Sequence, residues 1–329
     1  MAGFPGPFNA GPGSRILAIE EGPAMRSIMT IGILVLDEVM TIPVALKPGE
    51  KHRAIRAESV MGGNAANAAL AIARLGAQAR LVARIGDDAA GRLLRRKLAE
   101  FGIDDSLSPP MPGISTSRSS IIIEPGGDRT IVNYLDRTMP DRPDWLPASL
   151  PPGTAAVLGD TRWETGAGHL FDLAREAGLP AVFDGDRAPG DRSLLARASH
   201  VIFSAVGLRE TTGLPDLHQA LLAIRRESES FLAVTDGADG VLALLPDGLW
   251  HVPSLDIRAV DTLGAGDVWH GAFAWALTER LGLLDAVRWA NVTAALKCLK
   301  PGGSSGTPER PAVEAALSGL PPPKRLVSI

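Results

Sequence analysis

The chain has 329 residues, 45% apolar and 21% charged, with a formal net charge of −4, enough for one large α/β domain or two ordinary ones and without the basic footprint of a nucleic-acid binder. Its single cysteine, Cys298, excludes an internal disulfide and favours a cytoplasmic location. The longest apolar run near the start, Ile31-Gly32-Ile33-Leu34-Val35-Leu36, stops at Asp37, far short of the ~20 residues a membrane helix needs.

The first thirteen residues contain seven Gly or Pro and lack the basic and apolar regions of a signal peptide. Residues 1–26 therefore read as a disordered tail or upstream translation, with Met25 and Met29 as alternative starts. Residues 28–36 read as one buried strand ending at Asp37. Residues 37–60 are strand-like, with turns at Pro43 and Lys47-Pro48-Gly49. An Ala-rich helix over 64–75 stops at Gly76. A strand (79–86) and an amphipathic helix (88–102) follow. Two alternating runs around Pro125-Gly126-Gly127-Asp128 predict a hairpin over 116–134. Strands at 155–160, 180–186, 199–205 and 231–237 alternate with helices at 164–177 and 216–227, which implies a parallel sheet covered by helices. A short strand at 248–253 and helices at 266–281, 284–299 and 309–318 complete the chain. The regions 37–60 and 116–134 break the βα rhythm and read as a small β appendage.

The stretch DTLGAGDVWHGAF (261–273) carries the chemistry. Gly264, Ala265 and Gly266 lack bulk, and the helix that follows turns free N–H groups and its positive dipole end toward them. That makes an anion hole suited to phosphate. Asp267 sits at the helix start, where the dipole favours its ionised form. Beside a phosphate it suits a base that accepts the proton of an attacking hydroxyl; taken alone, it is equally a helix cap. A Walker A loop, HEXXH and paired CxxC are absent. So is a GxGxxG after the first strand, which disfavours a dinucleotide dehydrogenase.

This stretch resembles the C-terminal signature of the ribokinase-type (PfkB) carbohydrate kinases. The family's other signature is matched by GGNAANAALAIARLGAQARLVARIGDDAAG (62–91), about two hundred residues earlier. Between them VTDGADGV (234–241) resembles the family's nucleotide-side T-x-G-x-x-G turn. The resemblance spans roughly 28–319. It implies a doubly wound, mostly parallel sheet flanked by helices, with a β-sheet lid formed by about 37–60 and 116–134 on a kinase domain of residues 27–329. It further implies ATP and Mg2+ as cofactors, a sugar as acceptor and, because lid edges need partners, a homodimer through the lid.

On the sugar side the resemblance points to Asp37, Gly62, Gly63, Asn64 and Asn67. Asn64 suits a vicinal diol and equally suits a helix N-cap. Lys51, Asn133 and Arg162 resemble, in the ketohexokinase-like and sulfofructose-kinase-like branch, a clamp for a sulfonate; the alternative is three solvated or salt-bridged surface residues. The first Asn of the motif departs from the sulfofructose kinases, leaving a ketohexose and an anionic derivative both open. On the nucleotide side stand Thr235, Gly237 and Gly240, with Asn291, Ala294 and Lys297 spaced for an adenine wall; Asn291 could equally lie on a helix surface. The family's N-x-x-E motif is replaced by Ser204-Ala205-Val206-Gly207, which leaves the Mg2+ ligands open. Relatives hold a monovalent cation, K+, near Asp261, Thr262 and the Gly302-Gly303-Ser304 loop. Trp269, Phe273 and Leu277 form a packing stripe, and His270 is expected behind the site or on the surface. Two other readings compete: a sugar sensor without catalysis, and a nucleoside kinase, against which stands a lid whose only aromatic is Tyr134.

Overall fold

A computed structural model describes residues 26–328; the expected N-terminal tail lies almost wholly outside them. The strands are β1 (Ser27–Gly32), β2 (Val35–Thr41), β3 (Arg56–Gly62), β4 (Gln78–Ala83), β5 (Ile85–Gly86), β6 (Pro110–Met111), β7 (Arg118–Ile123), β8 (Arg129–Tyr134), β9 (Thr154–Asp160), β10 (Ala181–Gly185), β11 (His200–Ser204), β12 (Phe231–Thr235), β13 (Val241–Leu245), β14 (Gly248–Val252) and β15 (Lys324–Ser328). The helices are α1 (Asn64–Arg74), α2 (Ala89–Glu100), α3 (Glu164–Glu176), α4 (Leu194–Arg197), α5 (Ala205–Thr212), α6 (Leu217–Arg225), α7 (Ala265–Thr278), α8 (Leu283–Cys298) and α9 (Arg310–Ala316).

Nine strands form the main sheet in the order β15-β14-β13-β12-β11-β10-β9-β1-β4. Pairing is parallel from β4 to β12 and antiparallel from β12 to β15. Successive side chains of each strand feed opposite faces, so the sheet separates two cores. Ile28, Leu158, Val182 and Ile202 pack under α1, α7 and α8. Met29, Val157, Phe183 and Val201 pack under α3 to α6. Four strands, β3-β2-β7-β8, make a separate smaller sheet, as the broken rhythm predicted.

One expectation fails at the start of the chain. The run 28–36 is not one strand: β1 ends at Gly32, and β2 begins at Val35 in the small sheet. Asp37 therefore stands in the small sheet and not at the end of β1. Its row runs across three strands, Asp37 opposite Ser119 and Ser119 opposite Asn133, so the three side chains share a face. β13 and β15 were not foreseen. Helices α1, α2, α7 and α8 lie where periodicity placed them.

Candidate active site

Parallel strands carry ligands at their carboxyl ends, and the signature residues converge there. α1 starts directly after Gly62 and Gly63. Gly63, not Asn64, is the N-cap. Its φ of 100° is a glycine conformation, and a Cβ there would stand 2.4 Å from the Ile33 carbonyl. Asn64 is thus freed from capping, and its Nδ2 lies 3.3 Å from Asp184 Oδ2.

α7 begins at Ala265 after Gly264, whose φ is 75°. Ala265 N–H bonds Thr262 O and Val268 N–H bonds Gly264 O. The N–H groups of Gly266 and Asp267 have no acceptor among the described residues, and no atom lies within 4 Å of a Cβ built on Gly266. Free N–H donors at a helix N-terminus beside open space have the features that anion binding uses.

Asn67 reaches Asp267. Its Nδ2 donates to Asp267 Oδ2 at 2.7 Å, while its Oδ1 accepts Ser304 Oγ at 2.6 Å. The Ser304 bond fixes which end of the amide faces the carboxylate. Burial works against the ionised form of Asp267 that the helix dipole favours. Desolvation and the neighbouring Asp184 carboxylate push it up to about 7, against the Asn67 hydrogen bond and His270. Burial likewise raises Asp37 to about 6, opposed by a hydrogen bond from Ser119.

Three carboxylates unforeseen from sequence, Asp160, Asp184 and Asp186, lie around this centre. Asp160, at the end of β9, is fully buried; its Oδ2 accepts Ile33 N–H (2.9 Å) and Ala65 N–H (3.2 Å), and its Oδ1 accepts Arg162 N–H (2.8 Å). Asp184, buried at the end of β10, is raised well above the usual range by desolvation and by Asp186. His270 is buried, not on the surface: Nδ1 lies 2.8 Å from Gly266 O, and Nε2 lies 3.5 Å from Asp184 Oδ1. Burial lowers its pKa. The readable signal for these carboxylates was an acid closing each apolar strand, in Gly159-Asp160 and Phe183-Asp184.

Of the three residues expected to hold a sulfonate, two have partners within the protein. Lys51 lies exposed in the segment between β2 and β3. Asn133 Nδ2 donates to Ser119 Oγ at 2.9 Å. Arg162 forms an ion pair with Asp186, so its charge is already compensated.

Of the residues expected on the nucleotide side, Thr235 ends β12 and Gly237 opens a turn with free space beside it. Gly240 has a packing reason as well, since a Cβ would meet Val252 O at 2.3 Å. Ala294 is partly buried against the core of α8. Asn291 and Lys297 depart from expectation. Asn291 is 3% exposed; it accepts Trp269 Nε1–H at 2.7 Å and donates to the carbonyls of Val252 and Pro253. No amide hydrogen remains for an adenine. Lys297 is buried and donates to Asp261 O at 2.8 Å. Trp269 and Phe273 stack at 5.2 Å, as the stripe predicted.

Among the described residues, no three His, Cys, Asp or Glu group into a metal site, and no helix is long and apolar enough to cross a membrane.

Residues 25–310 match the model of the pfkB family carbohydrate kinases. Ribokinase of Bacillus subtilis (strain 168) is 27% identical, covering 89% of this chain and 100% of the relative. Fructokinase-1 of Oryza sativa subsp. japonica is 26% identical, covering 85% of this chain and 94% of the relative. A crystal structure from Agrobacterium tumefaciens superposes with a TM-score of 0.84 at 34% identity, covering 89% of this chain and 97% of that one. Arabidopsis thaliana ribokinase, solved with ribose and ATP, gives a TM-score of 0.78 at 22% identity over 89% of this chain and 98% of that one, a likeness of fold.

Proposed function

The chain belongs to the pfkB family of carbohydrate kinases, and we propose that it transfers the γ-phosphoryl group of ATP to a hydroxyl of a neutral sugar, with a ketohexose of the fructose type as first candidate. The observation that carries this reading is the Asn67–Asp267 pair beside two unpartnered α7 N–H groups. The sugar oxygen attacks the γ-phosphorus, its proton passes to Asp267, and the bond to the ADP oxygen breaks. Gly264, Ala265 and Gly266 leave room for the phosphoryl oxygens, and the α7 N–H groups take up their charge. Asp37, Gly62, Gly63 and Asn64 are assigned to the sugar hydroxyls, and Thr235, Gly237 and Gly240 to the nucleotide.

Mg2+ is assigned to the nucleotide phosphates and water, since Mg2+ keeps several waters and needs few protein carboxylates. A neutral acceptor is favoured over the sulfonate because Arg162 is paired with Asp186. The hollow of about 520 Å3 beside Arg162 also balances Arg162 and Arg187 against Asp141, Glu164 and Asp191. Tyr134 is half exposed at the end of β8, one residue on from Asn133 and so on the opposite face, which disfavours nucleoside stacking against the Asp37 row.

ADP release with Mg·ATP tests the reading across fructose, ribose, 6-sulfofructose, 2-keto-3-deoxygluconate, fructose 6-phosphate and adenosine. Turnover is expected on a neutral sugar. Preference for 6-sulfofructose overturns the neutral assignment, and a folded, ATP-binding protein silent on the whole panel points to the sensor reading.

We further propose that the small sheet pairs with its copy in a second subunit. β8 is an edge strand that exposes Ile131, Val132 and Tyr134, a liability in a lone monomer. Light scattering is expected to give twice the chain mass of 34.5 kDa; a monomer at micromolar concentration rejects the dimer.

A further inference from the structure

The family resemblance places a free monovalent cation beside Asp261 and Thr262, and the side chains there can be tested against it. Asp261 Oδ2 accepts the N–H groups of Gly302 (3.0 Å) and Gly303 (2.9 Å). Its Oδ1 accepts Leu263 N–H (2.9 Å) and the Arg129 guanidinium (2.8 Å). Its backbone carbonyl accepts Lys297 Nζ at 2.8 Å, and the same ammonium is 3.9 Å from Oδ1. The Lys297 side chain is 0% exposed.

These residues do not fit a further cation. The oxygens that would ligate it already face one buried ammonium and one guanidinium. A third positive charge within a few ångströms would be repelled most strongly where water is excluded. We propose that Lys297 supplies, as a tethered ammonium, the positive charge that relatives take from a free cation, so that this chain works without K+. The proposal rests on the kinase reading for its effect on turnover, though not for its geometry.

The position gives the charge a task. Lys297, in the last turn of α8, holds the first residue of the segment Asp261-Thr262-Leu263-Gly264, which leads directly into the α7 N-terminus. Asp261 in turn holds the Gly302-Gly303 backbone. The next residue, Ser304, orients Asn67, and Asn67 holds Asp267. One fixed ammonium thus braces both the loop beneath the phosphate and the chain of bonds that ends on the base. Arg129 brings the small sheet to the same carboxylate.

Two readouts test this. The melting temperature is compared in KCl and in tetramethylammonium chloride at equal ionic strength, for the native chain and Lys297→Ala. ADP release is then measured in the same salts. The native chain is expected to be indifferent to K+ in both. Lys297→Ala, which opens a hole beside Asp261 O and Oδ1, is expected to lose roughly tenfold or more of turnover and to recover part of it with K+ alone. A K+-specific rise of more than about 2 °C in the native chain overturns the proposal. So does a saturable activation of the native chain by K+ of more than about fivefold. Should Lys297→Ala fail to fold, the native chain's response to K+ decides by itself. If no sugar is turned over, the kinase reading fails while the melting comparison still decides this one.

Discussion

Asp267→Asn is expected to lower kcat by roughly 10³-fold, within the 10²–10⁴ that general-base catalysis contributes, while ATP binding is retained. The substitution keeps the shape and the contact to Asn67 and removes only the ability to take a proton. The native pH profile tests the same assignment. Desolvation and Asp184 raise Asp267 to about 7. The base works ionised, so kcat/KM of the native chain should fall as pH drops below about 7 and level off above it. The residual rate of Asp267→Asn should lose that limb. A variant within tenfold of the native rate, or one that keeps the limb, removes Asp267 from the role of base. The raised value suits the task, because a base poised near the working pH combines availability with proton affinity. It also makes the relay through Asn67 matter: Asn67 donates the one side-chain hydrogen bond that opposes the rise.

The glycine loop, the helix after it and the place of Asp267 were legible because each is local: a few small residues, a helix start and an acid within seven positions. The apolar period likewise gave α1 and α7. What was not legible is tertiary. The run 28–36 is uniformly apolar, and only the packing of two sheets decides that it breaks after Gly32. Asn291 and Lys297 have the spacing of a ligand-facing stripe, yet α8 is buried around much of its circumference, so both polar heads turn to backbone carbonyls. β15 follows Pro321-Pro322-Pro323 and owes its place to pairing with β14, not to a pattern of its own. Asp160, Asp184 and Asp186 read locally as strand terminators, and only the crossovers of a parallel sheet bring them under α1 and α7.

Asp160→Ala is expected to be the most damaging single change to stability. Asp160 gathers three backbone N–H groups from three separate segments: Ile33 after β1, Ala65 at the start of α1 and Arg162 after β9. Its site is closed to solvent, so truncation leaves the donors dry. Each orphaned buried group costs about 1–3 kcal/mol, which makes the total about 3–9 kcal/mol against a native stability of about 5–15 kcal/mol. The loss should appear as a lower urea midpoint with little change in slope. Asp160→Asn separates hydrogen bonding from charge. With its carbonyl oxygen toward Ile33 and Ala65, it keeps two of the three bonds and sets an NH2 against Arg162 N–H. It should therefore fall between the native chain and Asp160→Ala. Equal midpoints for the native chain and Asp160→Ala would mean that water or a backbone shift satisfies the donors. The consequence reaches the chemistry, since the Ile33 and Ala65 bonds set the close approach of Gly63 to the Ile33 carbonyl and, with it, the aim of Asn64 and Asn67. Asp160→Ala that still folds should thus lose turnover although it touches neither sugar nor phosphate.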